Sequence, residues 1–361
     1  MKKNQDISTD NITDRIMIAM SGGVDSSVAA YLCRQEAASC AGAIMKLLPE
    51  TEKADPLNIT DAKKVADKIG MPFYTFDCVS QFDESVIRTF ADTYKKGETP
   101  NPCVECNRLI KFDLFGKMAG EIGYNRVATG HYAKIEFNNE TGRYHLKKAT
   151  DLTKDQSYFL YTLSQEQLKN TILPLGDMTK ADVRKIADKQ NFDNAGKKES
   201  QDICFVPDGD YGSFIEEYIK EKSPEGDFVD MESNVLGTHK GIIRYTIGQR
   251  KGLGLALPEP MFVCNKDVEN NQVVLCRYDD LFSDTLTAKN INLISTDSIS
   301  EPLDIKAKIR YNQTEQPATV IQTDDDELRI IFKEPQKAVA KGQSVVIYDE
   351  DTVVGGGIID S

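Results

Sequence analysis

An apolar run that passes through a glycine pair into a helix is the feature of this sequence that most restricts its fold. The run is Ile16–Met20, and Val24, Val28 and Leu32 then recur every four residues, the spacing of one helix face. The segment that joins the two is SGGVDSS, Ser21–Ser27. We therefore predict a strand, a tight turn and a helix, the unit from which α/β sheets are built.

The same alternation of strand and helix continues along the chain. Further strands are predicted at Ala43–Leu48, Phe73–Asp77 and Val127–Gly130. Further helices are predicted from about Ile59 with Asn58 and Asp61 at its start, from Ser80 and Asp83 to near Gly97, and at Thr179–Lys189 with Asp182 in the first turn. Alternation with short connections predicts an α/β fold with a doubly wound parallel sheet, whose ligands bind beyond the carboxyl ends of the strands.

The second half of the chain has a different pattern. From about Asp227 it shows short alternating strands with Gly, Pro and Asn breaks, as in RYTIGQRKG, QVVLC and DELRIIF. A chain of 361 residues is also too long for one ordinary core. We predict four parts: a flexible tail at 1–14, a catalytic domain at 15–205, a small central domain at 206–283 and a C-terminal β-barrel-like domain at 284–361.

Composition limits the class of protein. The sequence has no apolar run of 18 residues and its first 14 residues are polar, so we expect a cytosolic protein without a membrane span. In that reducing compartment, eight cysteines that include a Cys103-x-x-Cys106 pair indicate metal, redox or nucleophile chemistry rather than a disulfide framework. For the other five cysteines, Cys33, Cys40, Cys78, Cys264 and Cys276, we predict buried or half-buried structural thiols.

The net charge of -13 argues against general affinity for nucleic acid, so any RNA contact must rely on local cations. Residues 284–361 alone hold 8 Lys and Arg against 14 Asp and Glu. The candidate patch is Lys306, Lys308, Arg310, Lys337 and Lys341. Alternation predicts that the first three share one strand face, and a merely solvated face remains an equal alternative.

The glycine-rich segment Ser21–Ser27 carries the clearest chemical signal. Glycines allow a tight turn with exposed N–H groups, hydroxyls add donors, and a helix N-terminus adds partial positive charge, which together favour pyrophosphate binding. Neither a Walker loop nor a G-x-G-x-x-G fingerprint is present. The alternative is a turn without a ligand. The segment resembles the phosphate loop of N-type ATP pyrophosphatases, which cleave ATP between the α- and β-phosphates and adenylate a substrate oxygen.

Further motifs narrow the resemblance within that superfamily. In order they are TPNPCVECN at 99–107, TGHY at 129–132, KDQSYFL at 154–160, SQDICF at 200–205, GQRKG at 248–252 and GGGI at 355–358. Their order and spacing resemble the bacterial tRNA-specific 2-thiouridylases, the MnmA family, over nearly the whole chain. The resemblance implies a tRNA-uridine 2-sulfurtransferase that uses ATP and Mg²⁺ to adenylate O2 of the wobble uridine and then transfers sulfur from a cysteine persulfide.

The family also implies site residues and partners. The persulfide would form on Cys204, and Cys106, in the loop after the third helix, would be the nucleophile that releases the sulfur. Sulfur would come from a donor protein such as a cysteine desulfurase or a sulfur carrier. ATP would contact Ala19, Met20, Ser21, Gly22, Gly23, Val24, Asp25 and Ser26, with the adenine near Met45 and Gly130. The target base would contact Asn101, Pro102 and Cys103. The tRNA would contact His131, Lys154, Asp155, Gln156, Arg310, Tyr311 and Gln343.

Taken singly, several of these residues have a structural explanation. Met45 in an apolar strand is by default a core residue. His131 can be a satisfied polar residue beside a turn, and Lys154 with Asp155 can be a surface ion pair of negligible energy. Cys204 alone can be a small buried hydrophobe. Only their joint occurrence in family motifs selects them.

Cys103 departs from the family pattern, in which an aspartate that acts as acid or base stands three residues before the nucleophile. Cys103, Cys106 and Cys204 could together ligate a four-iron four-sulfur cluster with one open iron. Alternatively, Cys103 could serve as a thiolate base, or the Cys103–Cys106 pair could form a reversible disulfide. Zinc is disfavoured because the spacing offers no fourth ligand.

Two other classes of function remain open from the residues. Another adenylating enzyme, such as a GMP or argininosuccinate synthetase, would share the phosphate loop, but no glutaminase segment is present and such an enzyme has no need of Cys106 and Cys204. A non-catalytic RNA-binding or iron–sulfur protein is the other, and an intact Ser21–Ser27 loop argues against it.

Overall fold

The computed structural model describes residues 14–37, 39–49, 56–196 and 203–361, so all but the last residue of the predicted tail lies outside it. Its strands up to residue 172 are β1 (Arg15–Ala19), β2 (Ser39–Lys46), β3 (Phe73–Asp77), β4 (Arg126–Ala128), β5 (Ala133–Asn138), β6 (Arg143–Lys148) and β7 (Thr171–Ile172). Five of them form a parallel sheet in the order β3-β2-β1-β4-β7.

Helices cover both faces of this sheet. The α-helices of the described residues are α1 (Val24–Glu36), α2 (Pro56–Lys68), α3 (Val79–Phe82), α4 (Arg88–Lys95), α5 (Pro102–Glu105), α6 (Phe115–Glu121), α7 (Gln165–Asn170), α8 (Lys180–Lys189) and α9 (Tyr211–Ile219). One apolar cluster joins the sheet to α1, α2 and α8, and another joins the opposite face to α6 through Phe76 and Phe115. The predicted doubly wound parallel sheet is confirmed.

Helix starts differ from the predicted ones. α2 begins at Pro56, so Asn58 and Asp61 lie inside the helix rather than before it. The helix predicted from Ser80 begins one residue earlier, at Val79, and runs to Lys95 through a π-helical segment, Asp83–Ile87, between α3 and α4. Another π-helical segment, Cys106–Leu114, makes α5 and α6 one continuous helix from Pro102 to Glu121.

The β-rich half contains a small sheet and a barrel. The small sheet has the order β10-β11-β8-β9, from β8 (Gly226–Val229), β9 (Val235–His239), β10 (Phe262–Asp267) and β11 (Gln272–Cys276). The barrel strands are β12 (Phe282–Leu293), β13 (Leu303–Lys308), β14 (Gln316–Asp324), β15 (Glu327–Lys337), β16 (Ser344–Asp349) and β17 (Thr352–Ile359). Pairing of β12 with both β15 and β17 closes the barrel. No helix among the described residues is long and apolar enough to cross a membrane.

The β5–β6 hairpin of the first half belongs to the sheet of the barrel. β6 pairs antiparallel with β17, with Thr352 opposite Lys147 and Val353 opposite Leu146. Leu146, Val346 and Val353 are buried in one cluster with residues of the first half. A continuous sheet therefore joins the two halves of the chain.

The prediction of three cations on one strand face was wrong. β13 ends at Lys308, and the Lys308 side chain is buried, with its ammonium 5.4 to 5.8 Å from the ring centroids of Tyr158, Tyr311 and Tyr348. Arg310 lies beyond the strand and donates a hydrogen bond to the carbonyl of Ala338. Strand alternation places Lys306 and Lys308 on one side, but that side turns inward at Lys308, because the barrel packs there against the first half of the chain.

Candidate functional site

The phosphate loop between β1 and α1 is closed by its own hydroxyls. Ser26 Oγ accepts a hydrogen bond from the Ser21 amide at 3.1 Å, and Ser26 and Ser27 both donate to the Gly23 carbonyl. Gly22 has a φ of +73°, and a Cβ there would lie 2.5 Å from the carbonyl oxygen of Asn58 on α2. The turn thus requires a glycine and leaves the N-terminus of α1 open at the carboxyl edge of the sheet.

The two residues predicted near the adenine lie at this same edge. Gly130 follows β4, and a Cβ on it would lie 2.8 Å from the backbone nitrogen of Ser26, so the two loops touch through their backbones. Met45 is the penultimate residue of β2, which pairs with β1, and its side chain is half-buried. The structure therefore brings the predicted ATP residues together around the start of α1.

Asp25 in the first turn of α1 has partners that the sequence analysis missed. Lys180 Nζ, at the start of α8, donates to both Asp25 carboxylate oxygens at 2.8 Å, and Tyr132 Oη donates to Oδ1 at 2.8 Å. Asn194 Nδ2 donates to the Gly22 carbonyl and to Ser27 Oγ, each at 2.9 Å. The signal for Tyr132 was its place in the TGHY motif, whereas no local pattern marks Lys180 or Asn194.

The cysteine pair lies on the continuous helix that starts at Pro102. Asn101 is the N-cap and its side chain accepts a hydrogen bond from the Val104 amide at 3.4 Å. Cys103 and Cys106 occupy the first turns of the helix, so the prediction that Cys106 lies in a loop was wrong. The proline at the first helical position, which the sequence shows, favours this helix start.

Burial controls the protonation of the three motif thiols. Cys106 is buried, which raises the pKa of its thiol to about 11, while the ammonium of Lys111 acts in the opposite direction. Cys103 and Cys204 are exposed as residues, yet partial desolvation of each sulfur raises its pKa, and Lys111 again opposes the shift. The three thiols lie close enough to interact electrostatically with one another.

All eight cysteines are free thiols. Cys33, Cys40, Cys78 and Cys276 are buried and Cys264 is half-buried, which confirms the structural reading of these five. Within the part of the chain that the structure describes, no group of three or more His, Cys, Asp or Glu side chains is arranged to hold a metal ion. The motif thiols are therefore neighbours but not a preformed ligand set, and Ser200–Asp202 of the SQDICF motif lie outside the described residues.

His131 lies between the phosphate loop and the cysteine helix. Its Nδ1 is hydrogen-bonded to Thr129 Oγ1 at 2.8 Å, and its ring packs at a tilt against Phe112. Burial, with the charge of Lys111 nearby, lowers the pKa of the imidazole to about 3. The ring is therefore neutral at physiological pH and can donate or accept a hydrogen bond without carrying charge.

Two of the predicted tRNA residues at 154–156, Asp155 and Gln156, have partners inside the protein. Asp155 is buried and its carboxylate accepts hydrogen bonds from the Ala149 amide at 2.9 Å and from the hydroxyl of Ser157 at 2.7 Å. Gln156 Oε1 accepts a hydrogen bond from the Tyr132 amide at 3.0 Å. Lys154 is half-buried at the end of the turn that begins at Asp151. The Asp155 carboxylate thus faces the protein.

The predicted tRNA residues of the barrel lie against the first half of the chain. Tyr311 packs on Phe159 with ring centroids 4.3 Å apart. Gln343 Nε2 donates to the carbonyls of Thr99 and Pro100, each at 3.0 Å, just before the cysteine helix. Lys266 of β10, which the sequence analysis missed, donates from the other side to the Glu98 carbonyl at 3.4 Å. The segment before the cysteines is therefore held from two sides.

Comparison with known proteins now places this arrangement in a family. Residues 14–208 match the family described as tRNA methyl transferase HUP domain, residues 212–277 its PRC-barrel domain, and residues 283–359 an aminomethyltransferase beta-barrel domain. The tRNA-specific 2-thiouridylase MnmA of Clostridioides difficile is 50% identical over 353 residues, which is 96% of this chain and 98% of that protein. The chain belongs to the MnmA family. The MnmA of Acetivibrio thermocellus is 47% identical over 96% of this chain and 99% of that protein.

Membership in the MnmA family confirms the resemblance stated from the motifs and covers all three regions of the chain. The first region carries both the phosphate loop and the cysteine helix, so the candidate ATP site and the three thiols lie on the unit with the parallel sheet. The MnmA fold supports use of ATP and Mg²⁺. The roles of individual residues remain predictions from the family and the geometry.

Proposed function

We propose that this protein is a tRNA-uridine 2-sulfurtransferase that converts the wobble uridine to 2-thiouridine with ATP. The observation that carries the proposal is the 50% sequence identity between this chain, over nearly its full length, and a tRNA-specific 2-thiouridylase. A phosphate loop and neighbouring free thiols on one domain supply the two chemistries that such a reaction needs. The substrate of this reaction would be tRNA, and the cytosolic location expected from the sequence is consistent with it.

The first step activates the uridine. The C2 carbonyl of uridine is a poor electrophile, so its oxygen must become a good leaving group before sulfur can replace it. ATP in the loop Ala19–Ser26 would place its phosphates at the N-terminus of α1, where backbone N–H groups and the helix dipole favour negative charge. Attack of the uridine O2 on the α-phosphate then forms adenylated uridine and releases pyrophosphate. Asp25, an oxygen ligand at this edge, would hold the Mg²⁺ that accompanies the phosphates.

The second step transfers sulfur. A donor protein, such as a cysteine desulfurase or sulfur carrier, would load Cys204 as a persulfide. The Cys106 thiolate attacks Cys204 Sγ, which forms a Cys106–Cys204 disulfide and releases hydrosulfide. Hydrosulfide adds to C2 of the adenylated uridine and AMP leaves with the original oxygen. Two equivalents of an external thiol, which become a disulfide themselves, then reduce the Cys106–Cys204 disulfide and restore both cysteines.

The environment of Cys106 fits a nucleophile that stays protonated until a base removes its proton. Burial keeps its thiol protonated at neutral pH, with a pKa of about 11. Its place near a helix N-terminus and the field of Lys111 both favour the thiolate once a proton acceptor arrives. Cys103, at the position of the aspartate of other members, is close enough to interact with Cys106 electrostatically, but burial raises its pKa too, so it is protonated at neutral pH and would have to be a thiolate to accept that proton.

A four-iron four-sulfur cluster on Cys103, Cys106 and Cys204 is the second candidate mechanism. The observation in its favour is that three thiols are electrostatic neighbours. The described residues do not form a preformed metal site, so these side chains would have to rearrange to hold a cluster. We therefore favour the persulfide route and route no step through a cluster.

We propose that four of the predicted tRNA residues divide into two groups. In the first group, His131 and Lys154 would contact the RNA directly. Asp155 and Gln343 act indirectly, because the first bonds internal amide and hydroxyl groups and the second bonds the carbonyls of Thr99 and Pro100. Both would shape the loops that receive the anticodon.

The proposal is tested by mass spectrometry of tRNA nucleosides. Anaerobically purified protein is incubated with unmodified tRNA, ATP, Mg²⁺ and sulfide, and the iron content of the same sample is measured. We expect 2-thiouridine in the parent protein and in Cys264→Ala. With a persulfide donor as the sulfur source, we expect none in Cys106→Ala or Cys204→Ala, while all variants still bind ATP. AMP formation without 2-thiouridine in the parent, even with a donor protein present, would favour another adenylating enzyme.

A further inference from the structure

A buried ammonium lies against the phosphate loop and has no role in the scheme above. Lys180 is the first residue of α8 and is only 8% exposed. Its Nζ lies 2.8 Å from both carboxylate oxygens of Asp25, although 155 residues separate the two in sequence. Burying a lysine is costly unless its charge is compensated, so its position at the loop calls for a physical reason.

The backbone of Lys180 is fixed while its side chain is long. Thr179 caps α8, and the Lys180 amide donates to Asp151 Oδ2 at 3.0 Å. That hydrogen bond is the main reason why the pKa of Asp151 is lowered. The apolar face of α8, with Val183 and Ala187 fully buried, packs in the same cluster as α1. Four rotatable bonds therefore remain to carry the ammonium from one acceptor at the loop to another.

Asp25 can keep its place without Lys180. Tyr132 Oη donates to Asp25 Oδ1 at 2.8 Å, and the Tyr132 residue is itself buried and tied through its backbone to Gln156. Asp25 also lies in the first turn of α1, where the helix dipole favours a carboxylate. Its side chain is 28% exposed, so water or a cation can reach it.

Charge balance changes when a magnesium nucleotide enters. Without a nucleotide, Lys180 neutralises a carboxylate that would otherwise repel phosphates. Mg²⁺ prefers carboxylate and phosphate oxygens, so it competes with the ammonium for Asp25 and brings new anionic oxygens to the loop. We propose that Lys180 is a phosphate-binding residue of the ATP site, which moves from Asp25 to the β- and γ-phosphates when magnesium ATP binds.

The proposal deepens and rests on the proposed use of ATP. Negative charge grows on the bridging oxygen and the β-phosphate as pyrophosphate leaves, and an ammonium held there stabilises that charge. No proton is transferred: Lys180 stays an ammonium and returns to Asp25 when magnesium pyrophosphate departs. Because AMP lacks the β- and γ-phosphates, Lys180 should distinguish ATP and pyrophosphate from AMP.

The test compares three ligands on two variants of one helix. Lys180→Met removes the ammonium, and Lys185→Met is the control, because Lys185 is 76% exposed on the same helix. Affinities for ATP, pyrophosphate and AMP are measured by calorimetry with Mg²⁺. We expect Lys180→Met to bind ATP and pyrophosphate about 10- to 100-fold more weakly, the loss typical of a charge-assisted hydrogen bond, and AMP as the parent does. Unchanged affinity for ATP, or an equal loss for AMP, overturns the proposal, since equal loss indicates only a structural role.

If Lys180→Met alone fails to fold, the same substitution is made in an Asp25→Asn background, so that removal of the ammonium leaves no unpaired carboxylate. In that background, adding Lys180→Met should still weaken pyrophosphate binding, and equal affinities of the single and double variants overturn the proposal. Failure of the proposed function and failure of the inference about Lys180 give different results. A parent protein that binds no ATP overturns both, whereas a parent that makes 2-thiouridine alongside a Lys180→Met variant with unchanged KM for ATP overturns only this inference.

Discussion

Lys266 is a buried lysine at the junction between the small sheet and the segment that precedes the cysteine helix. It is 7% exposed, and its ammonium donates to the carbonyls of Tyr245 at 3.1 Å and Glu98 at 3.4 Å and lies 5.5 Å from the ring centroid of Tyr94. Loss of hydration lowers the pKa of this lysine from 10.5 to about 8. We therefore expect Lys266 to make stability depend on pH in the alkaline range.

The sign and size of the effect follow from linkage. Below pH 8 both folded and unfolded chains carry the ammonium, and the folded state bears the full cost of burying it. Between pH 8 and 10.5 the folded chain releases the proton first, so this cost is relieved and the contribution of Lys266 to stability rises with pH. A tenfold change in a proton-binding constant is worth about 1.4 kcal/mol, which gives about 2–3 kcal/mol between pH 7 and pH 10.

The assay is urea unfolding of the parent and of Lys266→Met at pH 7 and pH 10. The difference in unfolding free energy between the two proteins should shift by about 2–3 kcal/mol in favour of the parent as pH rises. Thiols and tyrosines also titrate in this range, but both proteins contain them and their effects cancel in the difference. Lys251→Met, an exposed lysine of the same region, is the control and should give a difference that does not change with pH. A pH-independent difference for Lys266→Met would refute the reasoning, because it would mean that folding does not dehydrate the ammonium.

Three further predictions concern the site. Gly130→Ala should weaken ATP binding at least tenfold, because its Cβ would lie 2.8 Å from the Ser26 nitrogen, whereas Gly116→Ala on open helix surface should leave affinity unchanged in the same titration. Gln343→Ala removes two hydrogen bonds to the segment before the cysteines, so kcat for thiolation should fall severalfold with little change in the Kd for tRNA by filter binding. Since burial lowers the pKa of His131 to about 3, the pH–rate profiles of the parent and a His131→Asn variant should have the same shape between pH 5 and 8, and an acid limb lost only in the variant would contradict this.

The sequence was sufficient for the parts of the fold that depend on local pattern. The four-residue spacing of Val24 and Val28 predicted α1, and both are buried against the sheet. The strand predicted at Phe73–Asp77 has those bounds in the structure. The phosphate loop was also predictable, because glycines and hydroxyls within seven residues determine its turn.

Contacts between distant segments were not predictable from pattern. Lys180 meets Asp25 only because α8 packs on α1, and a lone lysine at a helix start has no signature of that contact. The burial of Lys308 was missed for the same reason, since alternation along β13 says which side a residue faces but not what covers that side. For Asp155, the neighbouring lysine suggested an ion pair on the surface. In the structure its carboxylate is instead buried and accepts hydrogen bonds from the amide of Ala149 and the hydroxyl of Ser157.

The position of the cysteine helix depends on all three regions of the chain. Its leading segment runs between two supports: the barrel loop, which bonds the Thr99 amide and the Thr99 and Pro100 carbonyls through Lys341 and Gln343, and β10, which bonds the Glu98 carbonyl through Lys266. The β5–β6 hairpin also fixes the barrel to the sheet domain by direct strand pairing. A tRNA that binds across the barrel and the parallel sheet would therefore affect the same contacts that orient Cys103 and Cys106. In this geometry the two C-terminal regions hold the segment that leads into the cysteine helix, and so fix where Cys103 and Cys106 lie on the domain with the phosphate loop.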